Sequence, residues 1–231
     1  METLLSVENL SVSFRQYQGG LRQRELRVIT DLNVSIKPGE IVAVVGSSGS
    51  GKSLLAHAVL GILPANAHMT GKMTYLGEEL TPKRQARLRG KEIALIPQSV
   101  NFLDPLMRVK HQLVSGGKGR EQEANLKEVL GRYQLKEEVG RLFPFQLSGG
   151  MARRVLVATA VTGDAQLIIA DEPTPGLHDD VVRETLAHFR ELADQGRGVM
   201  LITHDLEGAL TVADRIAVFY AGTTVEIAPK E

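Results

Sequence analysis

No cysteine occurs anywhere in the chain. Disulfides, thiolate metal sites and cysteine nucleophiles are therefore excluded, which agrees with a reducing compartment. An excess of either charge is also missing. Lys plus Arg is 27 and Asp plus Glu is 27, so the net charge is zero. Nothing in that balance draws the chain to a phosphate backbone, and no nucleic-acid partner is expected. No apolar run approaches the roughly 18 residues needed to cross a bilayer, so any membrane role has to come through a partner. The segment Met1 to Asn9 carries Glu2 and Glu8 and no basic start, which is not the pattern of a secretory signal. Internal repeats and low-complexity tracts are lacking too. What is present is a 231-residue chain, 43% hydrophobic, with ordinary globular composition. That length suits one large domain, or two closely joined subdomains, with a sizeable core.

Short β-branched runs alternate with helical patterns. Val7 to Phe14, Asp31 to Ile36 and Lys72 to Tyr75 read as strands, as do Ile41 to Val45 and Glu92 to Ile96. The polar stretch Arg15 to Arg27 reads as a loop or hairpin tip. Lys52 to Leu60 is helix-compatible and ends at Gly61 and Pro64. From about 97 to 164 the pattern is helical, with an amphipathic candidate at Glu121 to Tyr133 and a more apolar one at Arg153 to Val161. Strand character returns at Leu167 to Ala170, Val199 to Thr203 and Arg215 to Phe219. Helical stretches at Asp180 to Ala193 and Asp205 to Ala213 separate them. Strands alternating with helices predict a parallel sheet covered on both faces, the α/β class.

Gly46-Ser47-Ser48-Gly49-Ser50-Gly51-Lys52-Ser53 fits the phosphate-binding loop pattern G-x-x-x-x-G-K-[ST]. Backbone N–H groups must converge on phosphate, and glycine permits the tight path and close approach. The helix that starts near Lys52 directs its positive dipole end at the same charge. Lys52 supplies a cation to the β- and γ-phosphates, and Ser53 a hydroxyl to Mg²⁺. The bland alternative is a chance Gly/Ser loop, and the strand before it and helix after it argue against that. Leu167 to Ala170 delivers Asp171 and Glu172 at a strand tip, where open α/β sheets bind ligands. Asp171 is a candidate for the Mg²⁺ shell, and Glu172 for the general base that takes a proton from water. MgATP is the expected ligand.

Leu147-Ser148-Gly149-Gly150-Met151 precedes the Asp171 strand. With the two phosphate-side motifs it resembles the signature of the ATP-binding-cassette family, departing at Met151, where Gln is commonest. The resemblance covers nearly the whole chain. It implies a P-loop (RecA-like) core, 1–96 and 165–231, with an antiparallel β subdomain and an inserted α-helical subdomain, 97–164. Gln98 then matches the glutamine that touches Mg²⁺ or the attacking water. His204 matches the switch histidine near the γ-phosphate. Phe14 takes the place of the aromatic that stacks on adenine, with Tyr17 as a rival. Ser148, Gly149 and Gly150 would reach ATP only across a head-to-tail dimer, so ATP becomes part of the interface.

Gln98 to Val109, Phe143 to Gln146 and Gly61 to Pro64 look like the peptide and nickel importer branch. This resemblance implies an ATP-hydrolysing subunit on the cytoplasmic face of the membrane. Its partners would be permease subunits, an external substrate-binding protein and a second, non-identical ATPase subunit. Phe102, Leu103, Leu106 and Met107 would line the groove that receives a permease helix; internal packing of the helical segment is the other reading. One departure stands out. The family usually has Asp six residues after Glu172, where this chain has His178, followed by Asp179. An ATP-gated clamp with a slow, degenerate site is the alternative function.

Overall fold

The structure, a computed structural model, describes residues 3–17, 23–113 and 120–230. In chain order the elements are β1 (Leu5–Tyr17), β2 (Gln23–Ile36), β3 (Ile41–Gly46), α1 (Lys52–Leu60), β4 (Ala67–Tyr75), β5 (Glu78–Glu79), α2 (Pro82–Leu88) and β6 (Ile93–Ile96). Then come α3 (Val109–Leu113), α4 (Arg120–Arg132), α5 (Gly149–Val161), β7 (Leu167–Asp171), α6 (Asp179–Asp194), β8 (Gly198–Thr203), α7 (Leu206–Val212), β9 (Arg215–Tyr220) and β10 (Thr223–Pro229).

Strands β9, β3, β8, β7 and β6 form a parallel sheet, and β10 adds an antiparallel edge. Period-2 alternation assigns each side chain to a face. Ile41, Ala43 and Val45 of β3 enter one core with α5, α6 and α7. Val42 and Val44 enter another, beneath α1 and the antiparallel sheet β2-β1-β4-β5. β7 and β8 divide in the same way, Ile168 and Leu201 to the first core, Ile169 and Met200 to the second. Strands buried on both faces read as continuous apolar runs, and parallel strands require that cover. Truncating a fully buried side chain such as Phe189 of α6 should cost about 3–5 kcal/mol.

Helix α1 ends at Gly61, which takes a left-handed φ of 65° while the N–H groups of Gly61 and Ile62 return to Ala58 and His57 carbonyls. Between β6 and β7 every described element is helical.

Three expectations need correcting. The stretch 15–27 is mostly strand: β1 runs on to Tyr17 and β2 starts at Gln23. Arg15 faces Glu25 and Ser13 faces Arg27 across the ladder, and the Ser13 hydroxyl donates to Glu25 Oε1 at 2.6 Å. Those polar cross-strand pairs hold an exposed hairpin together, and their polarity is why it reads as loop. Strand β4 begins at Ala67, five residues before Lys72. Leu103 is only 4% exposed and sits in the first core, so it does not line a surface groove, whereas Phe102 and Leu106 are 61% and 87% exposed.

Candidate functional site

All five parallel strands end at one edge of the sheet, and that edge carries the candidate residues. Gly46 leaves β3 opposite Phe219, and a Cβ there would stand 2.1 Å from the Phe219 carbonyl oxygen, so only glycine passes. The loop rises through exposed Ser47, Ser48 and Gly49 and returns to buried Ser50. Gly51 then opens α1 at φ 93°, where a Cβ would meet Ile29 Cγ1 at 2.8 Å. The first turn of α1 has backbone N–H groups with no partner within the helix, facing where the loop curls. Lys52 is buried, and its ammonium donates to the carbonyls of Gly46 and Ser47 at 2.8 and 2.9 Å. It is held inside its own loop, a cation available to an anion that enters the cradle.

Asp171 ends β7, opposite Ile202 of β8. It is buried, and burial raises its carboxyl above the usual range while the Ser53 hydroxyl beside it works against that. Its Oδ1 is buried with no hydrogen-bond partner. A buried carboxylate oxygen left free beside a serine hydroxyl fits a cation site, because an unpartnered polar atom there is otherwise costly. Among the described residues no three His, Cys, Asp or Glu side chains cluster as a metal site. A divalent ion would therefore also need oxygens from Ser53, Gln98 and a ligand.

Glu172 follows with a left-handed φ of 49°, strained for a non-glycine residue by about 1–2 kcal/mol. Its N–H donates to the Ile202 carbonyl at 2.9 Å, so the ladder with β8 holds the strained turn. Both carboxylate oxygens lie 2.9 Å from His204 Nδ1. His204 stands between β8 and α7. Thr203 Oγ1 accepts from the Asp205 N–H and Asp205 caps α7, which fixes the backbone on the far side of the ring.

Lys52, Ser53, Gln98, Asp171, Glu172 and His204 line one open cleft of about 580 Å³, with Ser48, Gly49 and Gly51. Val28, Leu54 and Pro175 complete it, and none of them carried a sequence signal. Phe14 is elsewhere: half-buried, it packs against the second core and does not line the cleft. The side chain of Tyr17 lies outside the described residues.

Ser148, Gly149 and Gly150 do not join the cleft either. Ser148 caps α5, its hydroxyl accepting from the Met151 N–H at 3.3 Å. A Cβ on Gly149 would meet nothing within 4 Å. This loop is an open surface next to the turn after β7, with Gly176 O 3.7 Å from a Cβ built on Gly150.

Arg153 had no place among the sequence candidates. From α5 it donates to the carbonyls of Pro97, at 3.1 Å, and Gln98. Burial lowers its pKa, and the Asp171 and Glu172 carboxylates pull the other way.

The comparisons with known proteins agree with this geometry. The oligopeptide transport ATP-binding protein OppD of Bacillus subtilis is 35% identical over 96% of this chain and 65% of its own length. OppD of Lactococcus lactis subsp. cremoris is 37% identical over 100% of this chain and 71% of its own. The chain thus spans about two thirds of the length of these curated relatives. A solved post-hydrolysis state of the ATP-binding cassette MJ0796, bound to ADP and Pi, superposes with a TM-score of 0.83 at 25% identity, covering 98% of this chain and 99% of that one. The family model described as ABC transporter matches residues 29–175, and the chain belongs to that family.

Proposed function

We propose that this chain is the ATP-hydrolysing subunit of a peptide importer. The observation that carries the reading is the convergence of Lys52, Ser53, Asp171, Glu172 and His204 on one cleft at the end of a parallel sheet. The names of the relatives, oligopeptide transport and peptide import ATP-binding proteins, support the choice of cargo. No helix among the described residues is long and apolar enough to cross a membrane, so transport would run through separate permease subunits. A cytoplasmic-face location goes with that arrangement.

The phosphates of ATP settle on the backbone N–H groups of residues 47–53, and Lys52 exchanges its two carbonyls for the β- and γ-phosphates. Ser53, Asp171 and Gln98 would hold Mg²⁺, which supplies charge neutralisation on the phosphate oxygens. Glu172 accepts the proton of the attacking water. His204 Nδ1 lies 2.9 Å from both oxygens of that carboxylate and holds it in place. The strained Glu172 backbone keeps the carboxylate at the strand tip rather than letting it relax into solvent. Ser148, Gly149 and Gly150 bind the γ-phosphate of a second cassette, and that partner returns the same contact. Phe102, Leu106, Met107 and Phe145 are large apolar side chains left exposed, and a permease helix would dock on them.

The test is the chain's company and what drives it. Purified from membranes, it should come with permease subunits, and peptide delivered by a binding protein should raise ATP turnover. Copurification with nucleic acid, or turnover indifferent to peptide, contradicts the reading.

A further inference from the structure

Two neighbouring arginines near the start of α5 reach in opposite directions. Arg154 holds the helical segment: its guanidinium donates to the carbonyls of Tyr133 and Gln134 at 3.2 and 2.9 Å, where α4 ends, and its Nε to Gly150 O at 3.2 Å within α5. Arg153 holds the core: it forks onto Pro97 O and Gln98 O, the two residues that follow β6. Arg153 lies four residues after Gly149 and three after Gly150, so it shares their face of the helix. Arg153 thus ties the first turns of α5, which follow directly on the exposed signature loop, to the backbone of Gln98. A guanidinium suits that task, because its planar fork fixes the angle between helix and loop as well as the distance.

We infer that Arg153 is a positioning residue that transmits nucleotide occupancy from Gln98 to the signature loop of the same chain. The inference rests on the nucleotide reading of the cleft. A phosphate that draws Gln98 in moves the two carbonyls, the fork moves with them, and α5 carries the shift to Ser148, Gly149 and Gly150. The signature loop serves the opposite site in the proposed dimer, so Arg153 lets one cleft report to the other. Coupling of this kind needs an element whose position both sites bias, and α5, held by the Arg153 fork, is assigned that part.

Amide hydrogen exchange on the full chain, diluted until sedimentation shows a monomer with and without MgATP, tests it without a second cassette's contact at 149–154. In the wild type, MgATP should slow exchange at residues 47–54, at 97–103 and at 149–154, by about threefold or more at each. In Arg153→Ala the first two segments should respond as before, and 149–154 should lose its response. Arg153→Met, which keeps the apolar stem, should behave likewise if the alanine variant proves unstable. An undiminished response at 149–154 in both Arg153 variants overturns the inference. So does a wild type in which 47–54 responds and 149–154 does not. Absence of protection at 47–54 in the wild type is a different failure, that of the nucleotide reading itself.

Discussion

The cleft at the sheet edge and the loop before α5 carry the chain's two glycine-rich motifs, and they are finished to different degrees. In the cleft, Lys52, Asp171, Glu172 and His204 already contact or face one another, and three of the four are buried. At the signature loop, Ser148 and Gly149 are exposed, and a Cβ on Gly149 would touch nothing. Glycine at a crowded position answers to the chain's own backbone, as Gly46 does against Phe219 O. Gly149 has neither a crowding neighbour nor a left-handed φ, so the packing of this chain does not call for glycine there. One motif is assembled by the fold up to the ligand it lacks, and the other has its glycines at an open surface, as the proposed contact with a second cassette requires.

The largest effect expected is on turnover at the cleft. Glu172→Gln should lower ATP turnover of the assembled complex by about a thousandfold while leaving nucleotide affinity within about twofold. Near wild-type turnover would mean another residue is the base. Lys52→Ala should weaken binding of a fluorescent ATP analogue to the full chain by about a hundredfold, since two charge-assisted contacts to phosphate go at once. Unchanged affinity would sink the phosphate cradle. Ser148→Ala separates the two regions: turnover of the complex should fall about tenfold, and analogue affinity of the isolated chain should not move. If both fall together, the loop contributes to the cleft of its own chain and the contrast breaks.

A smaller effect lies at the junction between the regions. The Tyr133 hydroxyl bonds His188 Nδ1, and Arg132 pairs with Glu191, which together tie the end of α4 to α6. Burial pushes His188 down to about 4 from its ordinary 6.5. The unfolded chain thus binds this proton across a window, pH 4 to 6.5, in which the folded chain does not. Stability should rise with pH through that window and be fully present above it, by about 2 kcal/mol after solvent screening. Urea midpoints at the two ends of the window measure it, and His188→Gln should flatten the slope. Smallest of all is His178→Asp. His178 occupies the cap position of α6 without a cap hydrogen bond, and Asp would supply one, raising Tm by about 2 °C. A lower Tm would show that the histidine makes a contact worth keeping.

Much of this was legible in the sequence, and for physical reasons. β3, β7 and β8 are buried on both faces, so their apolar runs carry the fold directly. The cleft residues follow at the ends of those runs, where a parallel sheet has to place them. The outer length of the β1–β2 hairpin was hidden because Arg15, Glu25 and Arg27 stabilise strands with polar side chains that read as a loop or hairpin tip. β10 also went unread, as an edge strand with no fully buried side chain to give it an apolar run. Leu103 and Phe102 are both apolar neighbours, and only the short 3-10 turn Val100–Phe102 decides which of them turns inward. Arg153 has no motif at all. Its partners are backbone carbonyls more than fifty residues away in sequence, and only the folded chain brings them together.

The most direct test of the central claim, that the signature loop is completed by another cassette's nucleotide, uses the absence of native cysteine. Ser148→Cys in a Glu172→Gln background gives a chain with a single thiol. Its rate of maleimide labelling is measured in the assembled complex with and without MgATP. The account predicts fast labelling without nucleotide and at least about tenfold slower labelling with it. Labelling that stays fast while the cleft is saturated with MgATP would contradict it.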